Sequence, residues 1–235
     1  MMKPKPIFLL DSDSNISYSL VDKLVENKEE DFLIYFGCTN DRGIETFKLG
    51  KTLIKKGFPK ERTYLFPGDP GQAFSSIFCN KTLVPEVVNG KYKDNLNKEA
   101  FLGKLVLKAL GQKTLEYDYI ITSRGSSVSK KAGIERILSD YDIYSYARKI
   151  AKQKKAPEMV YIEAGSGSDQ PIARWKDGIN GAYEMLSPEG IKLNIGGGIN
   201  KPEQLKGISA DRVVISTSIE KNSELIAKFI KYSKI

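Results

Sequence analysis

The chain has 235 residues, 40% of them hydrophobic, with 37 Lys and Arg against 29 Asp and Glu, no His, and a formal charge of +8. It is long enough for one barrel of about 250 residues, and its positive charge suits an anionic substrate, an acidic membrane surface or nucleic acid without choosing among them. The lack of His excludes His-based acid–base chemistry and the common zinc sites, while two cysteines, Cys38 and Cys79, exclude a disulfide framework and make a reducing cytoplasm the default.

From the N-terminus, Met1 to Pro6 run into only four apolar residues, Ile7 to Leu10, before Asp11, too short a stretch for a signal peptide or a spanning helix. Beyond it, short apolar runs alternate with longer amphipathic ones, the pattern of βα units around a parallel sheet. Eight strands are predicted, at Ile7–Asp11, Phe32–Tyr35, Thr63–Phe66, Ser76–Phe78, Tyr117–Ile121, Met159–Glu163, Ile191–Gly196 and Arg212–Ser216. Helical spacing appears at Tyr18 to Val25, at Phe101 to Leu110 and at Ser223 to Tyr232, where Leu225, Ile226, Phe229 and Ile230 form one apolar stripe. The polar segment Leu83 to Asn97 reads as an extended loop, not a domain boundary. The expected fold is α/β, a (β/α)₈ TIM barrel, with residues 1–235 forming a single domain.

Barrel enzymes build their sites where the strands end, so the residues there carry the chemistry. Strand one ends in Asp11-Ser12-Asp13-Ser14, and a carboxylate pair of this spacing suits Mg²⁺, a hard ion that takes oxygen ligands. Asp11 is read as the ligand; Asp13 is equally a helix N-cap. Strand six leads into Tyr161-Ile162-Glu163-Ala164-Gly165-Ser166-Gly167-Ser168-Asp169. Its glycines and serines let backbone and hydroxyl donors approach an anion, with Glu163 as an acceptor beside them; the alternative is a plain flexible turn. Strand seven ends in Gly196-Gly197-Gly198-Ile199-Asn200, followed by Lys201-Pro202-Glu203-Gln204, which reads as a helix start and hence as a phosphate site. Ile215-Ser216-Thr217-Ser218-Ile219, after strand eight, completes the two-loop phosphate grip found in many such barrels.

Tyr161-Ile162-Glu163-Ala164-Gly165-Ser166-Gly167, Gly196-Gly197-Gly198-Ile199 and the string from Ala210 to Glu220 resemble the geranylgeranylglyceryl phosphate synthase family, which includes bacterial heptaprenylglyceryl phosphate synthases and consists of TIM barrels. Leu10-Asp11-Ser12-Asp13 and Leu65-Phe66-Pro67-Gly68 extend the resemblance over most of the chain. It implies Mg²⁺-dependent transfer of a polyprenyl group, geranylgeranyl first among the donors, from its diphosphate to the hydroxyl of sn-glycerol 1-phosphate, for ether-lipid synthesis. It implies that Asp11 holds the ion and that Glu163 orients the attacking hydroxyl or takes its proton. Tyr161, Gly165, Ser166 and Gly167 would position the glycerol, and Gly197, Gly198, Ser216 and Thr217 its phosphate. A dimer or higher assembly is implied as well. Tyr64, Phe66, Phe74 and Phe78 are read either as the wall of a prenyl groove or as core.

The chain departs from the family pattern at three strand ends. Asp11-Ser12-Asp13-Ser14 replaces Asp-Pro-Asp-Lys and so loses a cation near the diphosphate. Phe36-Gly37-Cys38-Thr39 replaces Gly-Gly-Ser or Gly-Gly-Thr, with Cys38 at the aligned hydroxyl position and Thr39 the substitute metal-side ligand. Ser216 replaces a glycine. These changes leave room for another phosphorylated three-carbon acceptor such as 3-phosphoglycerate, whose carboxylate Arg124, Ser126, Ser127, Lys130 and Lys131 would meet; the alternative is a solvated loop. A different class, a phosphate-binding barrel with isomerase, aldolase or non-catalytic function, is disfavoured for carbonyl chemistry because the chain has no His and no Lys within the predicted strands four to six. Nucleic-acid binding finds no supporting motif. The basic run Lys149 to Lys155 reads as an exposed helix face, and the same face suits peripheral contact with an anionic membrane.

Overall fold

The computed structural model describes residues 3–10, 18–38, 43–67, 79–83, 117–122, 139–163 and 172–234, together with residues 105, 108, 109 and 111. Its strands are β1 (Lys5–Leu10), β2 (Leu33–Cys38), β3 (Thr63–Pro67), β4 (Cys79–Leu83), β5 (Tyr117–Thr122), β6 (Met159–Glu163), β7 (Lys192–Gly196) and β8 (Arg212–Ile215). The helices are α1 (Tyr18–Glu26), α2 (Gly43–Lys55), α3 (Asp140–Ala151), α4 (Lys176–Leu186), α5 (Thr217–Lys221) and α6 (Leu225–Lys234). The strands form one sheet in the order β3-β2-β1-β8-β7-β6-β5-β4, and every pairing in it is parallel. Because β1 lies between β2 and β8, the sheet curls back on itself in the cyclic order of a (β/α)₈ barrel. Among the described residues no ladder joins β3 to β4.

Strand periodicity divides the core in two. Side chains alternate across a strand. On β1, Ile7 and Leu9 turn into the barrel to meet Tyr35, Tyr117, Ile120, Tyr161 and Val214. Phe8 and Leu10 turn outward to Leu20, Val21 and Leu24 of α1, Leu53 of α2 and Phe229 of α6. Both faces of β1 are therefore buried, which is why it reads as a continuous apolar run instead of an alternating one. The stripe expected on the last helix is present: Ile226, Phe229 and Ile230 are buried, and Leu225 packs beside them. Entry into β8 is fixed from α4, where Asn180 donates to the Gly207 carbonyl at 2.9 Å and accepts the Ser209 amide at 2.8 Å.

Strand four differs from its expected position. It runs over Cys79–Leu83, whereas Ser76–Phe78 lies outside the described residues. Cys-Asn-Lys-Thr-Leu has little intrinsic strand signal, and pairing with β5 selects it. Lys81 is thus within strand four, which corrects the expectation that no Lys falls there. Its register partner is Tyr119, which packs on the outer cluster; the inward-packing Ile120 is paired with Thr82. Of the helix expected over Phe101 to Leu110, residues 105, 108 and 109 are described, and they are helical.

At the N-terminal end of the strands, Lys5 of β1 and Arg212 of β8 both bond the Asp31 carboxylate, Arg212 at 3.0 Å. Partial burial raises the pKa of Asp31, but the two cations outweigh it and hold the carboxyl below its ordinary value. The barrel interior is polar-aromatic. Asn194 donates to the Tyr117 hydroxyl at 3.1 Å, the rings of Tyr117 and Tyr161 lie 5.2 Å apart, and Tyr35 stacks on Tyr64 at 5.4 Å. Burial pushes the Tyr117 phenol up to about 12 and the Tyr35 phenol well above its ordinary value. The folded state therefore keeps protons that the unfolded chain releases near pH ~10, so stability present below that pH is lost as pH rises toward ~12. In an alkaline titration, cooperative loss of the far-ultraviolet circular dichroism is expected to coincide with ionisation of the last tyrosines. All phenols ionising at ordinary pH with the dichroism intact would contradict this packing.

Candidate functional site

Two residues of β6 form the centre of the site. Tyr161 and Glu163 are two apart and so share the inner face, and they are only 1% and 4% exposed. The Tyr161 hydroxyl donates a hydrogen bond to Oε2 of Glu163. A carboxylate fixed in this way at a strand end can accept a hydrogen bond, or a proton, from a substrate hydroxyl. The neighbouring strands explain its position. Glu163 is in register with Thr122 on β5 and with Gly196 on β7, and Gly196 is in register with Val214 on β8. A Cβ on Gly196 would fall on the Tyr161 hydroxyl oxygen and lie 3.1 Å from Val214 Cβ. The tyrosine hydroxyl thus occupies the volume that a side chain at 196 would fill.

The rim of β7 and β8 lies immediately above. Gly197 and Gly198 have φ of 99° and 65°, left-handed values that favour glycine. The segment after them differs from the expected helix: it is a single 3₁₀ turn, Pro202–Leu205. A long helix dipole is therefore absent from this loop, and its donors are backbone amides. Gln204 ties the turn together, its Oε1 accepting the amides of Asn200 at 2.6 Å and Lys201 at 2.8 Å and its Nε2 donating to the Gly198 carbonyl at 3.2 Å. Ser216 follows β8, half-buried, and its carbonyl accepts the Ile219 amide at 2.9 Å at the start of the short α5. Since Gly196 pairs with Val214, the Gly197–Gly198 turn and the Ser216–Thr217 step leave adjacent strands side by side.

The structure therefore brings together Tyr161, Glu163, Gly197, Gly198, Ser216 and the backbone of Thr217. Asp11, Asp13, Thr39, Gly165, Ser166 and Gly167 lie outside the described residues, as do Phe74, Phe78, Arg124, Ser126, Ser127, Lys130 and Lys131. Cys38 is the last residue of β2, paired with Pro67. Among the described residues no three Asp, Glu, Cys or His side chains come together. Tyr64 is half-buried and packs against the interior cluster. Phe36, which the resemblance reads as replacing a glycine, is fully buried on the helix side of the sheet, and a Cβ on Gly50 of α2 would lie 3.4 Å from its ring. Its bulk is thus accommodated outside the barrel.

The basic run is also redistributed. The helix α3 ends at Ala151, so Lys149 is on it, whereas Lys152, Lys154 and Lys155 occupy the exposed turn before β6. That turn is at the N-terminal end of the strands, opposite Glu163. Among the described residues no helix is long and apolar enough to cross a membrane. Sequence reasoning missed Asn194, Tyr117 and the separate roles of Gly196 and Gln204. A Gln three residues into a helical turn is a capping signature that singles out Gln204; nothing in the triple-glycine run distinguishes Gly196 from its neighbours.

No protein-family model matches the chain. The chain is similar over most of its length to geranylgeranylglyceryl phosphate synthases. The protein of that name from Pyrococcus horikoshii is 25% identical over 229 residues, 95% of this chain and 87% of that one. The one from Thermococcus kodakarensis is 27% identical over 219 residues, 91% and 83% of the two chains. The one from Flavobacterium johnsoniae is 28% identical over 171 residues, 68% and 65%. Among solved structures, a mutant tryptophan synthase α-subunit from Pyrococcus furiosus covers 100% of this chain and 98% of its own at 13% identity, with a TM-score of 0.46, and adds nothing to the topology above.

The Gly196–Tyr161 packing is testable without an activity. Gly196→Ala is expected to cost about 1–3 kcal/mol in urea unfolding by overpacking. In a Tyr161→Phe background, which removes the obstructing hydroxyl, the same change is expected to cost at least ~1 kcal/mol less. Strictly additive costs would contradict the contact.

Proposed function

We propose that this protein transfers a polyprenyl group, geranylgeranyl first among the donors, from its diphosphate to the hydroxyl of sn-glycerol 1-phosphate, releasing diphosphate. The observation that carries the reading is the buried Tyr161–Glu163 pair, set beside the glycine turn of β7 in a chain similar over most of its length to synthases of that name. In the reaction the acceptor oxygen bonds to the allylic carbon, and the diphosphate leaves with the electron pair of the broken carbon–oxygen bond. Glu163 takes the hydroxyl proton or orients the hydroxyl. Tyr161 holds the carboxylate in place through its own hydrogen bond.

The phosphate of the acceptor is assigned to the backbone of Gly197 and Gly198 and to Ser216 and Thr217. Gly165, Ser166 and Gly167 are assigned to the glycerol. Asp11 and Thr39, with Asp13 as a further carboxylate, would supply an all-oxygen donor set of the kind that Mg²⁺ takes. When bound, such an ion supplies charge neutralisation of the leaving diphosphate.

The test is a transfer assay with labelled sn-glycerol 1-phosphate and, in parallel, 3-phosphoglycerate, each offered farnesyl, geranylgeranyl and heptaprenyl diphosphates with and without Mg²⁺. Label is expected to enter the organic phase from glycerol 1-phosphate, and Glu163→Gln is expected to lower kcat by about 10²–10⁴-fold, the usual contribution of a positioned base. Transfer from 3-phosphoglycerate alone would reassign the acceptor. No transfer from either would overturn the proposal.

A further inference from the structure

The glycine turn after β7 is held by a side chain that the proposed chemistry does not use. Gln204 makes three hydrogen bonds into residues 198–201, two as acceptor from the Asn200 and Lys201 amides and one as donor to the Gly198 carbonyl. The bond from Lys201 is one half of a capping box, an ordinary helix-start contact. The bond to Gly198 is different, because it reaches back past the cap into the turn whose two glycines have left-handed φ. Two consequences follow from the geometry. The amides of Asn200 and Lys201 are engaged by Gln204, so an anion at this loop is met by amides upstream of them. And Gly198, free of Cβ restraint, is kept in one conformation by a bond to its own carbonyl. A turn of bare glycines binds an anion well only if it is already ordered, since ordering it on binding costs conformational entropy.

We infer that Gln204 is a positioning residue for the acceptor's phosphate: it pre-sets the Gly197–Gly198 turn and so governs affinity for the phosphorylated acceptor without affecting the prenyl donor. The inference rests on the reading of that turn as the phosphate site.

The test compares wild type with Gln204→Met, which keeps length and removes all three bonds, and with Gln204→Glu, which keeps an acceptor for both amides and guards against a poorly folded Met variant. Each is measured by calorimetric titration with sn-glycerol 1-phosphate, by steady-state kinetics in both substrates, and by amide exchange over residues 197–201. Gln204→Met is expected to bind sn-glycerol 1-phosphate at least about tenfold more weakly, the scale of one net hydrogen bond. Its KM for the acceptor rises in proportion, while kcat and the donor KM stay within about twofold and exchange in the turn accelerates; the Glu variant shows the same split. Faster exchange with unchanged affinity would make Gln204 a plain cap and overturn the inference alone. A fall in kcat with both KM values altered together would also overturn it, as a general loss of structure. Wild-type protein that does not bind sn-glycerol 1-phosphate would overturn the phosphate-site reading and, with it, the inference.

Discussion

The inner face of this barrel is organised around one steric fact: the hydroxyl of Tyr161 occupies the space where a side chain on Gly196 would lie. That vacancy on β7 lets a large ring from β6 lie inside the sheet with its oxygen on Glu163. Support comes from below, where Tyr161 rests on the ring of Tyr117 and Tyr117 accepts from Asn194, while Tyr35 and Tyr64 stack as neighbours on β2 and β3. Barrels of this class usually fill their interior with branched aliphatic side chains. Here phenols share the volume with Ile7, Leu9, Ile120 and Val214, and the hydroxyls of Tyr117 and Tyr161 take part in buried hydrogen bonds, the latter to a carboxylate.

The two ends of the barrel are chemically distinct. At the N-terminal end of the strands, Asp31 joins β1 to β8 through Lys5 and Arg212, and the exposed lysines after α3 lie at the same end. Contacts of this kind serve closure of the sheet. At the opposite end are Glu163, the glycine turn and Ser216, where the backbone departs from regular structure and the small residues stand. This separation of stability from chemistry is what a parallel barrel offers. It also sets the basic run at the opposite end of the strands from Glu163.

Much of this was legible in the sequence because burial on both faces leaves a plain trace. The runs at Ile7, Tyr117, Met159, Ile191 and Arg212 all became strands within a few residues of their expected bounds, and the Leu225–Ile230 stripe packs as its spacing predicts. Glu163 is legible from its setting at a strand end, and Tyr161 from the resemblance alone. Strand four lies beyond its expected bounds because Asn80, Lys81 and Thr82 carry no apolar signal and the ladder with β5 selects the segment. The segment after β7 carries the start signals of a helix, proline at its first position and a capping Gln204, yet forms only the 3₁₀ turn Pro202–Leu205. For Tyr64 the sequence leaves groove and core open, and the stack on Tyr35 shows a contact with the interior cluster that no local pattern announces. Gly196 was hidden for a general reason: a glycine required by a neighbour's side chain looks the same in sequence as one required by its own backbone.

The central claim is that one ligand spans the carboxylate of β6 and the glycine turn of β7. A crystal structure with sn-glycerol 1-phosphate soaked or co-crystallised tests it most directly. The account predicts the phosphate within about 2.7–3.2 Å of the amides of Gly197 and Gly198 and a glycerol hydroxyl at hydrogen-bond distance from Glu163. A phosphate bound away from that turn, or a glycerol that leaves Glu163 and Tyr161 paired only with each other, would contradict it.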